Sequence, residues 1–584
     1  MFEGDFWRVL QIDLERSTFS VSERLDLKPY LGGVGIAAKL LLEHAAWGED
    51  PLSPAQPIIF AIGPLSAIFP LATKVVAVFR SPLTGEWGES YAGMRAALSL
   101  RFAGYDAVVI KGRAPKPTYL RIDPEGAFFR DARGLWGLDT EETGRLLREW
   151  ELGRGHRSIW RIGPAGENGV AFAGVNVDTF RHFGRLGLGA VFGSKNLKAI
   201  VVRGTKSYSI RDPKTYNAVY ERIYHEAVKT PRMAKYHRIG TAENVLRLNS
   251  SGSLPTMNLR ANRFAAAEAV SGETFGAQSL TRILSCTGCP VGCIHVGIFR
   301  RPHPEGYGYI STTLAYDYEP IYALGPMLGL DTVDKVYALL DTVEATGLDV
   351  ISTGVVLAWT TEALARGLIT ENETLVPLRF GDATAYGRAT EYLAAPPNEF
   401  YRELGRGLAH ATARYGGADF ALTLGGHEMA GYHTGYAFLL GQSVGARHSH
   451  LCNAGYSFDQ KHGAAFDDAA LVEYLIEEEE WRNVLNSLII CLFAREIYTL
   501  ETTVAALNAL GVSVTPADLK TLGREIFRLK WAAKKRLGYS LAQVRVPRRC
   551  FETPSGSGSL DPQRFERLLA LYRQRLSEEL AMPL

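Results

Sequence analysis

The sequence predicts an α+β fold in which a strand-rich N-terminal part gives way to a mostly helical remainder. Three observations carry that expectation. Short apolar runs at 57–62, 75–79, 107–110 and 198–202 are separated by Gly and Pro turns, as buried strands are. From about Asp212 the texture changes to long amphipathic stretches: Val333, Val336, Leu339, Leu340 and Val343 recur at helical spacing, and Gly347 follows as a stop. The chain has 584 residues, 46% of them hydrophobic, enough to bury cores in roughly two to four domains.

Taken in order, the opening MFEGDFWRVLQIDL carries two acids and no basic segment ahead of an apolar run, so no signal peptide is expected. Residues 58–79 come nearest to a membrane span. Gly63, Pro64, Pro70 and Lys74 interrupt them, and two buried strands around a turn fit better than a lipid-facing helix. Helices are expected at 36–44, 140–149, 469–494 and 562–581, with a loose loop at 552–559. The acidic run 477–480 reads as a solvated helix face. A formal charge of +2 argues against a polybasic nucleic-acid binder. Six cysteines in a chain this long do not make a disulfide framework, and a cytoplasmic protein with no membrane partner is expected.

Three of those cysteines form Cys286-Thr-Gly-Cys289-Pro-Val-Gly-Cys293. Thiolates two and three residues apart on a Gly/Pro loop can converge on one metal centre. A [4Fe-4S] cluster needs a fourth thiolate from Cys452, Cys491 or Cys550, whereas zinc takes a fourth ligand such as His295 or Cys491. Two Gly-rich stretches, 163–168 and 184–196, suit close backbone approach to phosphate, with Arg185 or Lys195 adding charge; a structural turn explains them equally well. Gly187, Gly189 and Gly193 give GxGxxxG, which misses the dinucleotide spacing.

These segments resemble the tungsten-dependent aldehyde:ferredoxin oxidoreductase family nearly end to end. The likeness runs through Tyr30-Leu-Gly-Gly33, Ser81-Pro-Leu-Thr-Gly85, Ile162-Gly-Pro-Ala-Gly-Glu-Asn168 and Gly184-Arg185, then the cysteine loop, Tyr318-Glu319, Gly347-Leu-Asp349 and Cys491-Leu-Phe493. It implies a base domain at 1–208, on which a tungsten (or molybdenum) bis-pterin lies, and two mostly helical domains at 209–420 and 421–584. The metal takes its soft sulfur from the pterins.

By the same resemblance, Arg185 meets a pterin phosphate, and Lys74 stands where a second arginine is usual. Tyr91, Ala92 and Gly93, with Leu186 and Gly187, border the cofactor, and the carbonyls of Tyr91 and Leu186 touch Mg2+. Two pterin-holding elements read Glu344-Ala-Thr-Gly347-Leu348-Asp349 and Asn486-Ser-Leu-Ile489-Ile490-Cys491, the second having lost the acid and the glycine. Cys491 becomes the fourth cluster ligand beside Cys286, Cys289 and Cys293. Glu319 is implied as the general base, its pKa raised by apolar surroundings, with His450 rather than His448 as the catalytic histidine.

The implied reaction is oxidation of a small aldehyde to a carboxylic acid, with electrons passing through the cluster to a ferredoxin-like carrier. The alternatives are another low-potential reaction of the same cofactor, on a carboxylate or aromatic thioester, and a non-catalytic iron–sulfur or zinc protein. Some family members place a metal between two copies through a Glu that falls here on Ala338. That metal is not expected, and a homodimer is allowed but unsupported.

Overall fold

The computed structural model describes residues 7–210, 212–303 and 305–580. The acidic opening at residues 1–6 and the last residue of the expected terminal helix lie outside the described residues. The fold is α+β, strand-rich first and mostly helical afterwards.

Residues 7–204 form two six-stranded sheets. The first holds Trp7–Asp13 (β1), Thr18–Arg24 (β2), Ile58–Ala61 (β3), Val75–Arg80 (β4), Trp87–Ala92 (β5) and Ala107–Lys111 (β6), in the order β2-β1-β6-β3-β4-β5. The second holds Thr118–Asp123 (β7), Gly126–Asp131 (β8), His156–Arg161 (β9), Val175–Val177 (β10), Arg181–Phe183 (β11) and Leu197–Gly204 (β12), in the order β11-β10-β9-β12-β7-β8. All four residues of β3 are buried, so its apolar run is continuous rather than alternating. One face packs on the second sheet, where Phe60 lies 4.8 Å from Trp160 and 5.5 Å from Phe183, ring to ring. The other face carries the helix Gly33–His44. As expected, residues 58–79 are two buried strands around a turn, pairing antiparallel through Ile59 and Val78. Among the described residues no helix is long and apolar enough to cross a membrane.

The helical part carries a three-stranded sheet that the periodicity did not announce. Leu280–Leu284 (β13), Ile294–Pro302 (β14) and Tyr309–Tyr316 (β15) form an antiparallel meander. The cysteine loop is the connection from β13 to β14, and Glu319 follows β15 on the helix Tyr318–Leu324.

Two expectations are corrected. The helix expected at 469–494 ends at Ser487, because Ile489 turns left-handed with φ 60°. Its acidic run is not wholly solvated: Glu479 is buried and accepts a hydrogen bond from the Ala446 amide at 3.0 Å.

Candidate active site

Two helices end in the same way, and both ends belong to the segments predicted to hold pterins. Val333–Thr346 closes with Gly347 at φ 78°; Gly347 N–H donates to Glu344 O and Leu348 N–H to Val343 O at 3.2 Å each. Asp468–Ser487 closes with Ile489 N–H donating to Asn486 O at 3.3 Å and Ile490 N–H to Leu485 O at 3.0 Å. Both pairs make a Schellman cap, which places Glu344 and Asn486 at equivalent positions in the last turn. Glu344 takes hydrogen bonds from His182 at 2.7 Å and Asn176 at 3.2 Å. The buried Asn486 carboxamide finds no partner among the described residues.

Beyond the first cap, Asp349 starts the helix Val350–Ala365 by accepting from the amides of Ile351 and Ser352, and it also takes Arg185 Nε at 3.1 Å. Arg185 donates a second bond to the Glu428 carbonyl at 2.8 Å. Its remaining nitrogen, Nη1, is buried without a partner. A guanidinium with one buried, free donor is a ready anion contact. Leu186 (φ 73°) and Gly187 follow in a tight turn, and the Leu186 carbonyl accepts from Ser81 at 2.8 Å. Lys195 is not at the site: it is buried and donates to the carbonyls of Pro54 and Gly112.

The cysteines are drawn together by backbone pairing at Leu71. Leu71 N–H donates to Gly288 O of the cysteine loop at 3.1 Å, and Cys491 N–H donates to Leu71 O at 2.9 Å. Burial pushes the Lys74 ammonium down, but Cys286, Cys491 and Cys293 pull it back above its ordinary value. Burial raises the Cys286 thiol, and Lys74 and Arg181 outweigh it, leaving it lowered. Cys289 is pushed up to about 12 by burial, with Cys491, Cys293 and Cys286 all contributing in the same direction. Gly93 ends this wall, and a Cβ there would stand 2.5 Å from Cys286 Sγ and 3.1 Å from Lys74 Nζ. Cys452 and Cys550 are buried elsewhere, the first beside Arg447 and Glu479, the second in the helical core. Among the described residues no three His, Cys, Asp or Glu side chains gather closely enough to hold a single metal ion.

Glu319 lies at the wall of a cavity of about 260 Å³, with His450 Nε2 3.6 Å from its Oε1. Tyr432 donates to the same oxygen at 3.1 Å. Burial pushes Glu319 up, but His450 and Tyr432 outweigh it, and the net shift is downward. The raised value expected from the apolar flanks is therefore corrected. It falls instead on Asp317, two residues earlier, lifted to about 7 by burial and then by the charge of Glu319. The buried His450 is pushed below its ordinary value, and its Nδ1 has no partner. His448 faces away, meeting Glu86 at 3.2 Å and Lys534 at 2.9 Å. Sequence reasoning missed Arg181, which burial pushes down but the charges of Cys293, Cys286 and Asp317 hold above its ordinary value, so that it links the thiols to the acids. It also missed Asp317, Tyr432 and His182. None lies in one of the matched motifs.

Residues 9–204 match "Aldehyde ferredoxin oxidoreductase, N-terminal domain", and residues 218–576 match "Aldehyde ferredoxin oxidoreductase, domains 2 & 3". The chain belongs to the aldehyde ferredoxin oxidoreductase family. It is 31% identical over 576 residues to the tungsten-containing aldehyde ferredoxin oxidoreductase of Pyrococcus furiosus, covering 95% of this chain and 93% of that one. From the same organism, the aliphatic sulfonate oxidoreductase WOR-like subunit is 27% identical over 425 residues, 70% of this chain and 66% of that one. Among solved structures, the active-site complex BamBC of benzoyl coenzyme A reductase superposes with a TM-score of 0.83 at 20% identity, covering 99% of this chain and 96% of that one. At that identity the likeness speaks to fold alone. The family is one of oxidoreductases, and its tungsten-containing relatives imply a pterin–tungsten cofactor here.

Proposed function

We propose that this member oxidises an aldehyde, R-CHO + H₂O → R-COO⁻ + 3 H⁺ + 2 e⁻, and passes the electrons singly to a ferredoxin-class carrier. The observation that carries the reading is Glu319 and His450, 3.6 Å apart at a cavity wall, with Asp317 and Arg181 leading from them to four thiols.

The residues present fit the implied cofactors. The free Arg185 Nη1 and the unpartnered Asn486 would meet pterin phosphate and amine, with Glu344, Gly347, Leu348, Asp349 and Ile490 framing the two capped ends. Tyr91, Ala92, Gly93, Leu186 and Gly187 would border it, and the Leu186 carbonyl keeps a lone pair for Mg2+. Four thiols that share one neighbourhood suit a [4Fe-4S] cluster, which takes four thiolates, at Cys286, Cys289, Cys293 and Cys491. The division at 1–208, 209–420 and 421–584 belongs to the same reading. A pterin-held tungsten or molybdenum supplies the two-electron acceptor.

The chain's own residues manage protons. Glu319, held ionised by His450 and Tyr432, is set to take a proton from the water that adds to the carbonyl. The 3.6 Å gap exceeds a hydrogen bond, so one substrate oxygen can contact both groups at ordinary length. His450 orients that oxygen as it gains charge.

Metal analysis of anaerobically purified protein, with an aldehyde panel and a viologen dye as acceptor, tests the reading. Tungsten or molybdenum near one per chain, about four irons and aldehyde-dependent dye reduction are expected. Zinc or iron alone, with no turnover, overturns it.

A further inference from the structure

The cavity that Glu319 and His450 share is strongly one-sided in charge. Lys235, Arg247, Lys461, Arg482 and Arg495 line it, against Glu319 as its only acid. Arg482 is satisfied within the fold by Glu478 at 2.8 Å and the Leu451 carbonyl. Glu243, which lies near Lys235, pairs with Arg238.

None of the others forms an ion pair among the described residues; the charges of Glu478 and Glu496 reach Arg495 without one. Lys235 donates to the neutral Asn244 Oδ1 at 2.7 Å, and burial pushes its ammonium below the ordinary value. Arg495 uses one nitrogen on the Leu492 carbonyl at 2.9 Å. Arg247 and Lys461 are exposed, and their side chains have no hydrogen bond or ion pair among the described residues. A partly buried ammonium on a carboxamide, followed outward by two free cations, focuses a positive field into the cleft. The apolar lining, Tyr236 stacked on Phe493 at 4.4 Å, lowers the local dielectric and sharpens it.

We infer that the cavity takes an aldehyde carrying its own anionic group, a carboxylate or phosphate. The carbonyl sits at Glu319 and His450, and the anion lies towards Lys235, Arg247, Lys461 and Arg495. This deepens the aldehyde-oxidising reading and rests on it for chemistry, not for binding. The reaction balances as above: the carbonyl C–H is lost, one C–O bond forms with oxygen from water, and two one-electron acceptors are reduced.

The test uses the holoenzyme with viologen as acceptor and two matched pairs, 4-oxobutanoate against butanal and 3-oxopropyl phosphate against propanal. The anionic member of at least one pair should show kcat/KM higher by about tenfold or more, a charge-assisted contact's worth. The stronger pair identifies the anion. Arg247→Gln with Lys461→Gln, and separately Lys235→Met, should each cut that ratio several-fold. Calorimetric titration with succinate and butanoate gives a second readout, with succinate tighter and its advantage lost in the same variants. Turnover of all four aldehydes at equal kcat/KM overturns the inference, as does an advantage that survives both variants. If no aldehyde turns over but succinate still binds through these cations, the anion site stands and the aldehyde reading falls.

Discussion

Gly347 and Ile489 occupy the same place in two Schellman caps and share a left-handed backbone, φ 78° and 60°. Only one of them is a glycine. A Cβ at Gly347 would stand 2.9 Å from the Gly163 amide nitrogen, so the residue is demanded by backbone and space together. We expect Gly347→Ala to destabilise the protein by about 1–3 kcal/mol, seen as a lower Tm. Ile489 is buried, and removing its side chain costs more than the relaxed φ returns. Ile489→Gly should therefore also lower Tm, by about 1–3 kcal/mol net. A rise in Tm for either variant would contradict the cap geometry.

Cys491 reaches the cysteine loop through Leu71, whereas Cys550 lies in the helical core. Cys491→Ser should lower iron and acid-labile sulfide and change the reduced cluster's EPR signal. Cys550→Ser should leave both unchanged. Equal iron in both variants would remove Cys491 from the ligand set.

How much of this was legible in advance follows from what kind of signal each residue leaves. Cys286, Cys289 and Cys293 are local, and their spacing announces convergence on a loop. Cys491, Glu319 and His450 became readable through the resemblance, because each lies in a short pattern at a fixed place. Arg181 and Lys235 carry no pattern: a cation's role depends on which chain it meets, and Arg181 meets Cys293 across more than a hundred residues. The sign of the Glu319 shift was misjudged for the same reason. Its apolar flanks are adjacent in sequence, but Tyr432 and His450 arrive from far away and outweigh them. Within the run 477–480, identical letters concealed opposite environments, since helical rotation turns Glu479 inward while Glu477 stays exposed.

Tyr432 donates to Glu319 and helps to hold it low. Glu319→Gln should cut turnover by about 10²–10⁴ with tungsten or molybdenum and iron retained. Tyr432→Phe should act more mildly and move the acid limb of the kcat/KM profile to higher pH, because a carboxylate that loses a donor ionises later. A limb that stays in place would show that Tyr432 does not tune the base.

Asp317 stands near 7 in the folded chain against ~3.9 unfolded. The folded state therefore holds more protons between those values, and the Asp317 contribution to stability falls as pH rises through that window. Asp317→Asn removes the titration. Its Tm relative to the parent should rise between pH 4 and 7 and level off above, measured on protein of equal metal content. A Tm difference independent of pH would mean that Asp317 ionises normally.

Beneath Tyr91 lies the opposite case. Burial pushes Glu89 up, but Lys530 at 2.6 Å and Arg447 outweigh it and leave its carboxyl at about 2. A depressed carboxylate gives stability that is present above its unfolded pKa, ~4.3, and is lost as pH falls towards the folded value. Both side chains are buried, so removing one partner strands the other charge. Lys530→Met should cost about 3–5 kcal/mol, whereas Lys530→Met with Glu89→Leu should cost much less. The single variant should also lose most of the parent's fall in Tm between pH 4.5 and 2, because Glu89 then no longer titrates far below its unfolded value. Additive Tm losses in the double variant would show that the two residues do not act as a pair.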